Sequence, residues 1–144
     1  MFQSQSQGAR ANRSGDIFEG KISAHLDSLK EEYVRQYSYE PHGGGRPRKA
    51  DFYLCSKRTI VEAKNQDVSG TADQKLENEI WTAYETFQNN PDVERYTIVL
   101  GGKHWQKESQ KYKIERARRL AEKLTVESEG LVISVTPFES FINV

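Results

Sequence analysis

The sequence predicts an α/β domain in which a mixed β-sheet is flanked by helices. Three observations lead there. Apolar residues recur at helical spacing in separated stretches that begin at Phe18, Leu76 and Ala117. Between them lie short runs rich in β-branched and aromatic residues, at 34–39, 50–55, 59–64, 96–100 and 131–136. Only Ser56-Lys57-Arg58 joins the second run to the third, so short a link that the two must form an antiparallel hairpin. The order is helix, three strands, helix, strand, helix, strand, helix, with no internal repeat.

Residues 1–14 are rich in Gln, Ser, Arg and Asn, which predicts a flexible N-terminal tail ahead of one domain over 15–144. The first helix is expected from Asp16, capped by Ser14 or Asp16. Phe18, Ile22, Leu26, Leu29 and Tyr33 follow in steps of four, four, three and four and form one apolar stripe. The first strand, 34–39, alternates. Pro41-His42-Gly43-Gly44-Gly45-Arg46-Pro47 sustains neither period and reads as a loop. After the hairpin, Thr71 or Asp73 caps a second helix. Its Leu76, Ile80, Ala83, Tyr84 and Phe87 keep helical spacing until Asn89-Asn90-Pro91 ends it. Tyr96-Thr97-Ile98-Val99-Leu100 is a continuous run, as expected of a strand covered on both faces, and Gly101-Gly102 breaks it. A basic helix is expected at 105–124, with Ala117, Leu120, Ala121 and Leu124 inward. The strand 131–136 follows, and Pro137 starts a short last helix.

A chain of 144 residues with 35% hydrophobic side chains suits one domain with a compact core. The single Cys55 excludes an internal disulfide framework and a multi-cysteine zinc site, and is expected as a small core residue. His25, His42 and His104 have no i,i+4 histidine partner, which argues against a histidine zinc site. Trp81 and Trp105 are expected to anchor packing. No apolar run approaches the roughly 20 residues that cross a bilayer. The first eight residues lack the apolar core of a secretion signal, so a cytoplasmic protein with no membrane partner is expected. Lys plus Arg and Asp plus Glu both number 21, but their distribution is uneven. Residues 103–123 hold eight basic side chains against three acidic ones, and Arg46-Pro47-Arg48-Lys49 follows the glycine triplet. That triplet lacks the Lys-Ser/Thr ending of a nucleotide-binding loop.

The informative residues sit on the hairpin. Glu62 and Lys64 are two apart on a strand and project to one face. Folding the hairpin brings Asp51 level with them, and Glu19 lies on the helix whose apolar stripe must dock on this sheet. Two or three carboxylates and one ammonium are thus expected at a sheet edge. A Glu-x-Lys pair alone is an ordinary surface feature of little energetic weight. Here Val61 and Ala63 frame it in an apolar strand, and Asp51 and Glu19 precede it. Paired carboxylates hold Mg²⁺, which polarises phosphate and acidifies water, and an adjacent ammonium offsets charge developing on phosphorus. The set suits hydrolysis of a phosphodiester.

Asp51, ten intervening residues, then Glu62-Ala63-Lys64, with Glu19 on the preceding helix and the αβββαβ order, resembles the PD-(D/E)XK nuclease superfamily. Glu62-Ala63-Lys64-Asn65-Gln66, followed by Ser69-Gly70-Thr71-Ala72-Asp73-Gln74-Lys75-Leu76, is similar to a branch found in small restriction-like and homing endonucleases. The resemblance spans about 16–100, and Ala50 stands where the family's nominal proline precedes the aspartate. It implies a restriction-endonuclease-like core and Mg²⁺ as cofactor, with Mn²⁺ as a substitute. It implies Asp51 and Glu62 as metal ligands, the Ala63 carbonyl as a third, and Lys64 as the residue that activates or positions the attacking water. Glu19 would serve a second metal or its water. Gln66 would orient Lys64, a water or the phosphate, with a loop-capping amide as the equal alternative.

Double-stranded DNA is the expected partner. Arg46, Arg48 and Lys49 lie in or next to the glycine loop just before Asp51, placed to enter a groove or clamp the backbone. Lys75, in the first turn of the second helix, is read equally as a phosphate contact or a solvated lysine, and His42 as a DNA contact or a solvated side chain. The charge on 103–123 reads as a solvated helix face. One active site per small chain implies a homodimer or higher homo-oligomer for cutting both strands. The expected function is Mg²⁺-dependent, site-specific DNA endonuclease of the homing or restriction kind. The alternatives are a structure-selective nuclease such as a Holliday-junction resolvase, and an inactive DNA-binding module on the same scaffold.

Overall fold

The computed structural model describes residues 7–67 and 72–143. In chain order it contains α1 (Gln7–Ser28), β1 (Tyr33–Tyr39), β2 (Arg48–Leu54), β3 (Thr59–Asn65), α2 (Ala72–Phe87) and β4 (Arg95–Gly101). A 3-10 turn (Lys103–Gln106), α3 (Glu108–Ser128), β5 (Val132–Pro137) and α4 (Phe138–Phe141) complete it. The five strands form one sheet in the order β1-β2-β3-β4-β5. The first two junctions are antiparallel and the last two parallel. The sheet is therefore mixed, as expected.

Alternation along the strands divides the apolar residues between two cores. Phe18, Ile22 and Leu26 of α1 pack on Phe52, Leu54, Val61 and Val99, joined at the edge by Phe138 and Phe141 of α4. On the opposite face α2 contributes Leu76, Ile80, Ala83 and Phe87, and α3 contributes Ile114, Ala117, Ala121 and Leu124. These cover Ile60, Ile98, Leu100, Ile133 and Val135. Val99 and Ile98 are both fully buried, which is why β4 reads as a continuous apolar run. No helix among the described residues is long and apolar enough to cross a membrane.

Several local expectations need correction. The first helix begins at Gln7 rather than Asp16, so residues 7–14 are helical rather than a flexible tail, and residues 1–6 lie outside the described residues. Ser14 does not cap that helix. Its hydroxyl donates to Asp67 Oδ2 and accepts from Asn65 Nδ2, both at 2.7 Å, tying α1 to the end of β3. Leu29 lies beyond the helix and is half exposed, because Lys30 turns the chain with φ 56°. Trp81 is 43% exposed and stands edge-on to Tyr84 rather than anchoring the core, whereas Trp105 is buried. Cys55 is half-buried in the turn after β2, not in the core. The basic helix breaks at extended Lys107, and His104 and Trp105 are buried on the 3-10 turn ahead of it. Thr71, one of the two expected caps of α2, lies outside the described residues.

Candidate active site

The site begins where the hairpin ladder stops. β2 and β3 pair through Leu54↔Thr59, Tyr53↔Ile60 and Phe52↔Val61, and no further. Beyond that point side chains replace the ladder bonds. Asp51 N–H donates to Glu62 Oε1 at 3.0 Å, and Ala63 N–H donates to Asp51 Oδ2 at 2.8 Å. Each acid accepts an amide hydrogen from the other strand, leaving one oxygen of each carboxylate outside this reciprocal pair. β1 follows the bend, since Gln36 takes φ 53° between the pairs Arg35↔Phe52 and Tyr37↔Ala50. The local rotation puts Ala50 in the core beneath α2 and α3, while Phe52 belongs to the core beneath α1. Asp51 lies at the crossover between them.

On β3, Glu62 and Lys64 share a face with Ile60, toward α2, as two-residue spacing demands. Lys64 Nζ pairs with Glu79 Oε2 of α2 at 2.9 Å, and the two side chains are 24% and 16% exposed. Tyr96 O–H, from β4, reaches Glu79 Oε1 at 3.5 Å. Burial, then the negative charges of Asp51 and Glu79, push the Glu62 carboxyl up to about 9. Burial comes first in raising Tyr96 as well, followed by Glu62 and Glu79. Glu19 lies across the crossover on α1, its carboxyl raised by burial and then by Asp51, with Arg35 Nη2 3.7 Å away. Four carboxylates, those of Glu19, Asp51, Glu62 and Glu79, thus run from α1 to α2.

This crowding has a consequence for stability. Between pH 4.5 and about 9 the folded chain keeps a proton on Glu62 that the unfolded chain has released, so rising pH favours unfolding. In EDTA, the midpoint of thermal unfolding is expected to fall by about 5 °C or more from pH 5 to pH 9. Glu62→Gln flattens that slope. Equal slopes in the two proteins, followed by circular dichroism, would contradict the assignment.

A cleft of about 450 Å³ opens above Glu62 and Lys64. Arg48 and Lys49 of β2 form one wall, and Lys75, Asn78 and Thr82 of α2 the other. Tyr39 and Tyr96 close the remaining side. Of the residues expected at the site, the structure brings together Asp51, Glu62 and Lys64, sets Glu19 next to Asp51, and puts Arg48, Lys49 and Lys75 on the cleft walls. Ala63 enters through its N–H to Asp51. Arg46 and His42 are exposed on the glycine loop and do not line the cleft. Gln66 does not reach it either: its backbone is tied to Gly101 O and His104 N–H at the end of β4. Glu79 was not expected. The polar stripe Lys75, Asn78, Glu79, Thr82 has helical spacing, but it reads like any solvated helix face until β3 is laid against it.

The donors present suit a hard divalent cation. Carboxylate oxygens are the ligands that Mg²⁺ prefers, and Asp51 and Glu62 are adjacent, so a cation between them would favour the ionised form of Glu62. Among the described residues no group of three or more His, Cys, Asp or Glu side chains is assembled to hold a metal ion. Waters and phosphate oxygens ordinarily complete such a Mg²⁺ shell.

No curated protein and no solved structure matches the chain. The family model of the PD-(D/E)XK nuclease superfamily domain matches residues 10–143, from the first turn of α1 to just past α4. That span takes in both cores, the mixed sheet of the restriction-endonuclease-like fold and every residue of the site. The chain belongs to the PD-(D/E)XK nuclease superfamily.

Proposed function

We propose that this nuclease domain is a Mg²⁺-dependent endonuclease that cuts duplex DNA at specific sites, acting as a homodimer or higher homo-oligomer. One observation supports it above the rest. Asp51 and Glu62 are locked to each other's strands, and Glu62 and Lys64 line a cleft walled by Arg48, Lys49 and Lys75. Two carboxylates make a cation site, and the wall cations match a phosphate backbone.

Asp51 and Glu62 would hold the cation, with Mn²⁺ as a substitute and the Ala63 carbonyl as a third ligand. When bound, Mg²⁺ supplies Lewis-acid polarisation of the phosphoryl group and acidifies the attacking water. Lys64 presents a positive charge at the same cleft, where it orients that water and offsets the charge that develops as phosphorus is attacked. Glu19, on the far side of Asp51, is placed to serve a second cation or its water. Arg48, Lys49 and Lys75 position the strand without reading its sequence. Base contacts fall to the glycine loop that carries His42 and Arg46.

Plasmid DNA and a synthetic four-way junction, each incubated with the protein in Mg²⁺ or EDTA, test this reading. Discrete plasmid fragments in Mg²⁺ alone are expected. Symmetric nicks in the junction with intact plasmid would replace site specificity with structure selectivity. Intact DNA of both kinds, with binding retained in a gel-shift assay, would overturn the catalytic reading.

A further inference from the structure

We propose that Glu79 is a positioning residue for Lys64: it holds the ammonium on the α2 side of the cleft, off the carboxylate pair. The kinetic part rests on the nuclease reading above; the geometric part does not. Lysine carries its charge on a flexible four-carbon stem, and on β3 its nearest same-face acid in sequence is Glu62, two residues away. An ammonium collapsed onto Glu62 would occupy the carboxyl oxygens that the cation needs. The structure shows a different partner. Lys64 Nζ lies 2.9 Å from Glu79 Oε2, and Glu62 Oε1 is taken by Asp51 N–H at 3.0 Å.

Glu79 is itself braced. Its other oxygen faces Tyr96 O–H at 3.5 Å, so α2, β3 and β4 converge on one ion pair. Exposed Lys–Glu pairs hold no fixed geometry, because both side chains stay solvated and mobile. This pair is different, with only 24% and 16% of the two side chains exposed and both partners lining the cleft. Glu79 touches neither substrate nor cation in this account. It acts through Lys64.

The test combines Glu79→Gln, Lys64→Ala and the double variant, each checked by thermal melting, with Glu79→Asp replacing Glu79→Gln should the latter not fold. In single-turnover cleavage, Glu79→Gln is expected to lower the rate about tenfold and to raise the Mg²⁺ concentration needed for half-maximal rate, with DNA affinity within about twofold. Added to Lys64→Ala, it is expected to change nothing further, since its effect passes through that lysine. A second readout needs no activity. Acylation of Lys64 by a water-soluble succinimidyl ester, quantified by peptide mass spectrometry against exposed Lys75, is expected to rise several-fold in Glu79→Gln. Unchanged acylation, or a rate loss that persists in the Lys64→Ala background, would overturn the proposal. A wild-type protein that cuts no DNA would defeat the nuclease reading alone, and the acylation ratio would still decide whether Glu79 holds Lys64.

Discussion

Glu62→Gln and Lys64→Ala are each expected to lower the rate of DNA cleavage by about a thousandfold or more while leaving the fold and DNA binding in place. The two substitutions remove different things. Glu62→Gln keeps an oxygen that accepts Asp51 N–H, so the junction between β2 and β3 survives, but it deletes the carboxyl that would ionise to hold a cation. Lys64→Ala leaves the carboxylates and takes away the ammonium beside Glu62, stranding Glu79 without its 2.9 Å partner. Asp51→Ala is a poorer probe, because Asp51 Oδ2 accepts Ala63 N–H and its loss leaves that amide without its acceptor. Single-turnover cleavage of supercoiled plasmid, with melting curves on the same samples, checks the expectation. Rates within about tenfold of wild type for both variants would remove these residues from the chemistry.

The largest effect on stability is expected at Gly102, with Gly102→Ala costing about 3–5 kcal/mol and lowering the melting midpoint by about 10 °C or more. Gly102 sits at φ 96° and ψ 160°, a conformation essentially reserved for glycine. A Cβ there would also lie 2.2 Å from Gln66 O. That oxygen cannot retreat, since it accepts His104 N–H at 3.0 Å while Gln66 N–H donates to Gly101 O at 2.9 Å. Gly44 supplies the control, with φ 85° but open space around it, so Gly44→Ala is expected to cost only about 1 kcal/mol. Equal losses in the two variants, measured by urea unfolding, would show that the packing of Gln66 against Gly102 does not matter. Because Gln66 follows Lys64 by two residues, this contact also pins the end of the strand that carries the site.

Much of this was legible in the sequence because periodicity reports burial directly. Phe18, Ile22 and Leu26 repeat at helical spacing and are buried, and Glu62 and Lys64, two apart on an apolar strand, do share a face. The four-residue link between β2 and β3 is too short for anything but antiparallel pairing. What stayed hidden depends on tertiary contact. Ser14 looks like a helix cap, yet its hydroxyl is spent on Asp67 and Asn65, fifty-odd residues away in sequence. Glu79 is one of three glutamates in α2, and nothing local marks which of them turns toward β3. Adjacency to Asp51 points to Arg46 and the family resemblance to Gln66, but neither lines the cleft, and the Gln66 backbone is tied to Gly101 and His104. Trp81 has the size of a core residue and the helix position of a surface one, and position prevails.

On the proposed reading, Asp51 and Glu62 together hold a divalent cation. Mn²⁺ binding followed by electron paramagnetic resonance, at pH 7 and in the presence of duplex DNA, tests it most directly. Wild type is expected to bind Mn²⁺ with release of about one proton, because Glu62 must ionise to become a ligand. Asp51→Asn and Glu62→Gln are each expected to bind it more than about tenfold more weakly. Equal Mn²⁺ uptake by all three proteins, with no proton released, would contradict it.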